Sequence, residues 1–148
     1  MNIPSPATAA MRWLAVCVFA VLCATAKVQA ADLTVQVKNL RPTQGLVLAA
    51  LYDSAAAFLK PGAQKMAQMA PAQGTQATLV FRNLAPGRYA LTAFHDENGN
   101  TKVDMNALGS PVEAVGFSKD AMGNASAPSF EQAAIDFTED ATITINLH

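Results

Sequence analysis

The stretch Asn83–Ser118, NLAPGRYALTAFHDENGNTKVDMNALGSPVEAVGFS, decides how the chain is read, because strand, turn and acidic ligand-type residues meet there. Tyr89, Leu91 and Ala93 alternate with Ala90, Thr92 and Phe94, the period of two of a largely buried strand, and Pro86-Gly87 supplies the turn before it. Such a strand delivers His95 and Asp96 to a surface edge. From there Asp96, Asn98, Asn100, Lys102 and Asp104 fall at alternate positions of a polar loop. At that spacing a coiled backbone turns oxygens inward toward a hard cation such as Ca²⁺, Lys102 offering only its carbonyl.

The match to a calcium loop is incomplete. Thr101 stands where a glycine allows the sharp turn, and Ala107 stands where a bidentate Glu closes the shell. With two carboxylates at ligand positions, Glu97 facing outward and Glu113 the nearest acid able to fold back, binding is expected to be weak. The competing reading is a polar connection, since Asp, Asn and Gly favour turns by bonding their own backbone. An enzymatic reading gathers His95, Asp96 and Glu97, with Glu113 or Asp120, as acid, base or metal ligands. Set against it, and preferred, is His95 as a strand-end residue bonded to the adjacent loop. The portion after the leader has no nucleophile elbow, His-rich zinc spacing or phosphate-cradling glycine loop.

Upstream, Arg12 precedes an apolar run from Trp13 to Ala24, and Val28-Gln29-Ala30 presents small residues at the two positions a signal peptidase reads. Residues 1–30 are therefore expected to be a signal peptide and 31–148 a single exported domain, periplasmic or extracellular, that meets the membrane only through its leader. The apolar run is short for a membrane-spanning anchor. Cys17 and Cys23 both lie in the leader, and Val16 and Leu22 before them do not suit a lipoprotein signal. Without Arg12 and Lys27, eight of the ten basic residues remain against eleven acidic ones, net −3, which makes nucleic acid a poor partner. An envelope protein or polymer is the partner class left.

Along the domain, Leu33, Val35 and Val37 alternate with polar residues, and Leu46–Tyr52 is continuously apolar, as in a central strand covered on both faces. Between Ala55 and Gly74, the three-to-four spacing of Met66, Met69 and Ala70 predicts a short helix over one end of the sandwich. Those methionines, with His95, Met105 and Met122, would suit Cu(I), but they are read as core fillers. Ala77–Phe81 is expected to form a hairpin with the strand at Tyr89, and Phe130–Phe137 another with Ala141–Leu147. Pro111–Phe117 is a weaker strand. The whole predicts an all-β, about seven-stranded antiparallel sandwich with one short helix between strands two and three. A carrier reading places a small apolar ligand in its core, beside Phe81, Phe94, Phe117 or Phe137, although cores are ordinarily filled.

The segments Phe94-His95-Asp96-Glu97-Asn98-Gly99-Asn100, Lys102-Val103-Asp104, Leu108-Gly109-x-Pro111-x-Glu113, Gly116-Phe117-Ser118 and Pro128-Ser129-Phe130-Glu131 together resemble the domain of unknown function 2141 family of small exported bacterial proteins. That resemblance implies no established activity. Leu84-x-Pro86-Gly87-x-Tyr89 separately resembles the turn and strand of transthyretin-like and carboxypeptidase-regulatory-like sandwiches, which implies that architecture. The chain departs from the first family's pattern at Thr101, where Gly is usual, and at Ala114 and Val115, where Gly and Tyr are common.

Overall fold

The computed structural model describes residues 29–41, 44–124 and 126–148; the expected leader lies outside them except for its last two residues. Among the described residues no helix is long and apolar enough to cross a membrane. The described residues form eight strands: β1 (Ala31–Lys38), β2 (Leu46–Tyr52), β3 (Met66–Pro71), β4 (Gln76–Leu84), β5 (Gly87–Asp96), β6 (Val115–Phe117), β7 (Ile135–Phe137) and β8 (Ala141–Asn146). A 3₁₀ turn at Ser118–Asp120 and a single-turn helix α1 (Phe130–Ala133) complete the elements. One sheet has the order β4-β1-β8; the other runs β3-β2-β5-β6, with β7 also on β5. The fold is the expected all-β sandwich.

Strand alternation builds its core. Leu33, Val35 and Val37 from β1, with Leu79 and Phe81 from β4, face Val47, Ala49 and Leu51 from β2 and Leu91 and Ala93 from β5 in one buried cluster. β2 lies between β3 and β5, as its continuous apolar run required. Its opposite face is covered at one end: Tyr52 joins Ala90, Phe130, Ala133 and Ala134 in a second cluster, where the Phe58 ring meets Tyr52, Phe117 and Phe130 edge-on. The five-stranded sheet is thus apolar on both faces.

Several expectations need correction. No helix forms between Ala55 and Gly74. Residues 55–59 are turns, and β3 pairs antiparallel with β2 from Leu46↔Pro71 to Leu51↔Met66. The free edge of a buried strand needs hydrogen-bond partners, and this outweighs the helical spacing of the methionines. Their true period is two, with Met66, Gln68 and Ala70 half-buried and Ala67, Met69 and Pro71 exposed. Pro71 is tolerated because β3 is an edge strand. Met69, Met105 and Met122 are well exposed, so they are not core fillers.

Neither predicted hairpin exists. β4 pairs with β1 and β5 with β2, so Ala85-Pro86 is a corner between sheets, braced by the Tyr89 hydroxyl donating to the Ala85 carbonyl at 2.8 Å. β7 pairs with β5, whereas β8 lies parallel to β1 from Leu33↔Ala141 to Lys38↔Asn146, so the sandwich is not purely antiparallel. In each case both strands carry inward apolar faces, but from opposite layers. Phe130–Ala133 is helical rather than extended because Ser129 and Gln132 form a reciprocal capping box.

β6 and β7 share one edge of β5, pairing with Thr92–Phe94 and Gly87–Tyr89. In the gap between them the Leu91 N–H donates to Ser118 Oγ at 2.9 Å, and that hydroxyl donates to the Ala133 carbonyl at 2.6 Å. One buried serine therefore completes the ladder and ties α1 to the sheet. Its role there is structural.

Candidate functional site

The expected loop leaves the end of β5, but its first residue is inside the protein rather than at a surface edge. Asp96 is fully buried. Its Oδ1 accepts from the N–H groups of Gly99 (2.7 Å) and Asn100 (3.2 Å), and its Oδ2 from that of Thr101 (2.7 Å). A carboxylate ringed by backbone donors is satisfied in its charged form. The pattern then repeats along the loop: Asn98 Oδ1 accepts from the Asn100 N–H at 3.0 Å, and Asn100 Oδ1 from the Lys102 N–H at 2.8 Å. Each is a side chain capping its own backbone, the property that places Asp and Asn in turns.

Asp104 closes the ring. Its two oxygens accept from the side-chain amides of Asn98 and Asn100, at 2.5 and 2.9 Å. Asp96, Asn98, Asn100 and Asp104 are therefore brought together, with Lys102 contributing backbone. Thr101 sits at φ 62°, a left-handed conformation that a β-branched residue adopts only under strain, held there by its N–H bond to Asp96.

Two further residues hold this loop, and neither role was read from the sequence. Glu113 does fold back, but onto backbone: its Oε1 accepts from the Glu97 N–H at 3.1 Å and its Oε2 from the Asp104 N–H at 3.2 Å, stapling both ends. Arg41 donates to Glu97 Oε1 at 2.9 Å and to the Val112 carbonyl at 3.2 Å. Gly45 packs so closely that a Cβ there would lie 2.2 Å from the Asp96 carbonyl oxygen.

The donor set can be weighed for a hard cation. Asp96 already spends both lone pairs of Oδ1 and one of Oδ2 on backbone N–H groups, which leaves one further site, on Oδ2. Asp104 and the Asn98 and Asn100 amides, once their oxygens turn inward, are the other donors, whereas Lys102 is tied in through its N–H to Asn100 Oδ1. Among the described residues no three His, Cys, Asp or Glu side chains gather as a metal-binding group. The donors are oxygens, the type that hard cations take, and include none of the sulfur or imidazole ligands that suit zinc or copper.

The residues of the enzymatic reading diverge. His95 is fully buried, shares the inward face of Leu91 and Ala93 by strand alternation, and has no hydrogen-bond partner on either ring nitrogen among the described residues. Its ring therefore does not make the bond to the adjacent loop that was expected of a strand-end residue. Asp96 turns to the loop backbone and Glu97 to Arg41. Asp120 is distant in role, accepting from the backbone and side chain of Asn146.

An apolar cleft does exist, but not in the core, where Phe81 and Phe137 are packed away. It lies on the outer face of the five-stranded sheet, about 770 Å³, floored by Leu48, Ala50 and Phe94 and walled by Val103, Met105 and Phe117. Met105, Pro111, Val115, Phe117 and Ala127 also line an adjoining cleft of about 660 Å³. Thr101 and Lys102 put the polar loop on its rim. Burial raises the pKa of the Tyr52 phenol, which lines the same cleft. The sequence signal for this cleft was the double-faced apolarity of β2.

Fold and site together define a small all-β sandwich with a self-braced polar loop beside an apolar cleft. The chain belongs to the DUF2141 family, described as an uncharacterized protein conserved in bacteria, whose model matches residues 35–146 and so includes both loop and cleft. No curated protein and no solved structure matches it. The family match carries no transthyretin-like assignment; the architecture rests on the strand pairing.

Proposed function

We propose that this is an exported, non-catalytic binding module of the cell envelope whose Asp96–Asp104 loop takes a calcium-type cation weakly and so fixes one wall of the binding surface. The supporting observation is the alternation within the loop, in which Asp96, Asn98 and Asn100 each cap backbone N–H groups while Asn98, Asn100 and Asp104 converge on one another. An ion at that point of convergence would replace amide donors by a charge that Asp104 prefers. The divergence of His95, Asp96 and Glu97 supports a binding role over an enzymatic one.

The reading is tested by melting the protein with and without calcium. For a dissociation constant of about 1 mM, 10 mM calcium stabilises the fold by about 1.4 kcal/mol. The melting temperature should then rise by roughly 5 °C. A rise with calcium, absent with magnesium at the same ionic strength, is the expected result; no rise with calcium removes the cation from the account.

A further inference from the structure

We propose that the outer cleft binds a single-chain amphiphile with an anionic head, specifically a long-chain fatty acid, with the acyl chain along the sheet and the carboxylate at Lys102. The proposal rests on the binding-module reading and names its ligand class; the bonds within the Asp96–Asp104 loop already hold the Lys102 rim, and an ion would only stiffen it, so binding is expected without calcium.

The first support is the lining. Outward positions of a sandwich sheet ordinarily alternate to polar residues, yet here Leu48, Ala50, Phe94, Val115 and Phe117 leave an apolar floor. Phe58 and α1 cover one end of this face and not the rest. The volume, about 770 Å³, lies within the range of small-molecule pockets, and the adjoining cleft, which also carries Asp120 and His148, shares Met105, Pro111, Val115 and Phe117 with it and so adds apolar surface for an acyl chain.

The second support is charge. Lys102 is the only Lys, Arg, Asp, Glu or His lining the larger cleft, and it enters no ion pair among the described residues. One unmatched cation on the rim of an apolar trough complements a ligand that is apolar along its length and anionic at one end. Thr92, Thr101 and Gln64 add neutral hydrogen-bonding groups along the cleft.

The experiment titrates the purified protein, in chelator to exclude calcium, with fluorescent cis-parinarate, and then competes the probe with laurate or with uncharged dodecanol. Two variants are compared with the parent, each checked for an intact melting transition: Lys102→Glu, which reverses the rim charge, and Ala67→Trp, which fills the cleft from an exposed position on β3. Saturable binding at one site is expected, with laurate competing at least several-fold better than dodecanol. Lys102→Glu should abolish that preference and weaken laurate about ten-fold, and Ala67→Trp should weaken both competitors. Absence of saturable binding to the folded protein overturns the proposal. So does equal competition by acid and alcohol, indifference to Ala67→Trp, or a sedimenting dimer that excludes the probe. A null result here with a positive calcium shift would leave the cation reading intact.

Discussion

Replacing Asp96 and Asp104 separately by alanine distinguishes holding the loop from ligating an ion. Asp96 is buried and accepts three backbone N–H bonds, each of the charged kind that contributes about 1.5–3 kcal/mol. Simple addition overstates the loss. Asn100 keeps its bond to Asn98 Oδ1, and the freed N–H groups of Gly99 and Thr101 belong to exposed residues where water can reach them. The expected cost of Asp96→Ala is therefore about 2–4 kcal/mol, the worth of one to two such bonds. Asp104 is partly exposed and bonded only by the side-chain amides of two exposed asparagines, so Asp104→Ala should cost less than about 1 kcal/mol. Urea denaturation without calcium reads both. With a slope of about 1.5 kcal/mol per molar, the midpoint should fall by roughly 2 M for Asp96→Ala and by under about 0.7 M for Asp104→Ala. Only the second variant should keep most of its stability while losing its response to calcium. Equal losses in the two variants, or an Asp96→Ala midpoint matching the parent, would refute this division of labour.

Other expectations follow from particular contacts. Ser118→Ala strands the buried Leu91 N–H and Ala133 carbonyl and should destabilise by about 2–4 kcal/mol in the same urea assay. Thr101→Gly relieves a β-branched residue at φ 62° and should stabilise by about 1 kcal/mol, seen as a higher melting temperature. The Tyr52 phenol, raised by burial, should titrate above its ordinary value of 10.0 when followed by ultraviolet absorbance in a Tyr89→Phe background. Because the folded state holds that proton more tightly than the unfolded chain, its contribution to stability is complete below pH 10 and is lost as pH rises through the folded value.

The layers of the sandwich were legible because period two survives in sequence wherever one face is buried. Leu33, Val35 and Val37, and Leu91 and Ala93, all point inward as their alternation required. Pairing was not legible, since an inward face says nothing about which layer a strand joins; Ala77–Phe81 and Tyr89–Phe94 looked like neighbours and lie in opposite sheets. β3 was misread because Met66, Met69 and Ala70 match a helical repeat, and only the need of β2 for an edge partner makes the segment extended, with the two methionines on opposite faces. The polar loop was found from its alternating Asp and Asn residues. Its supports, Arg41 and Glu113, come from distant positions and act on backbone groups, which no local spacing encodes. The capping box at Ser129 and Gln132 was readable, and was hidden only by the apolar alternation that follows it.

A crystal structure grown with calcium is the most direct test of the cation reading. It should place an ion about 2.3–2.6 Å from oxygens of Asp104, Asn98, Asn100, Asp96 and the Lys102 carbonyl, with both asparagine amides turned from their bonds to Asp104. A loop that keeps those amides on Asp104 and holds no ion at millimolar calcium would mark it as a self-contained connection.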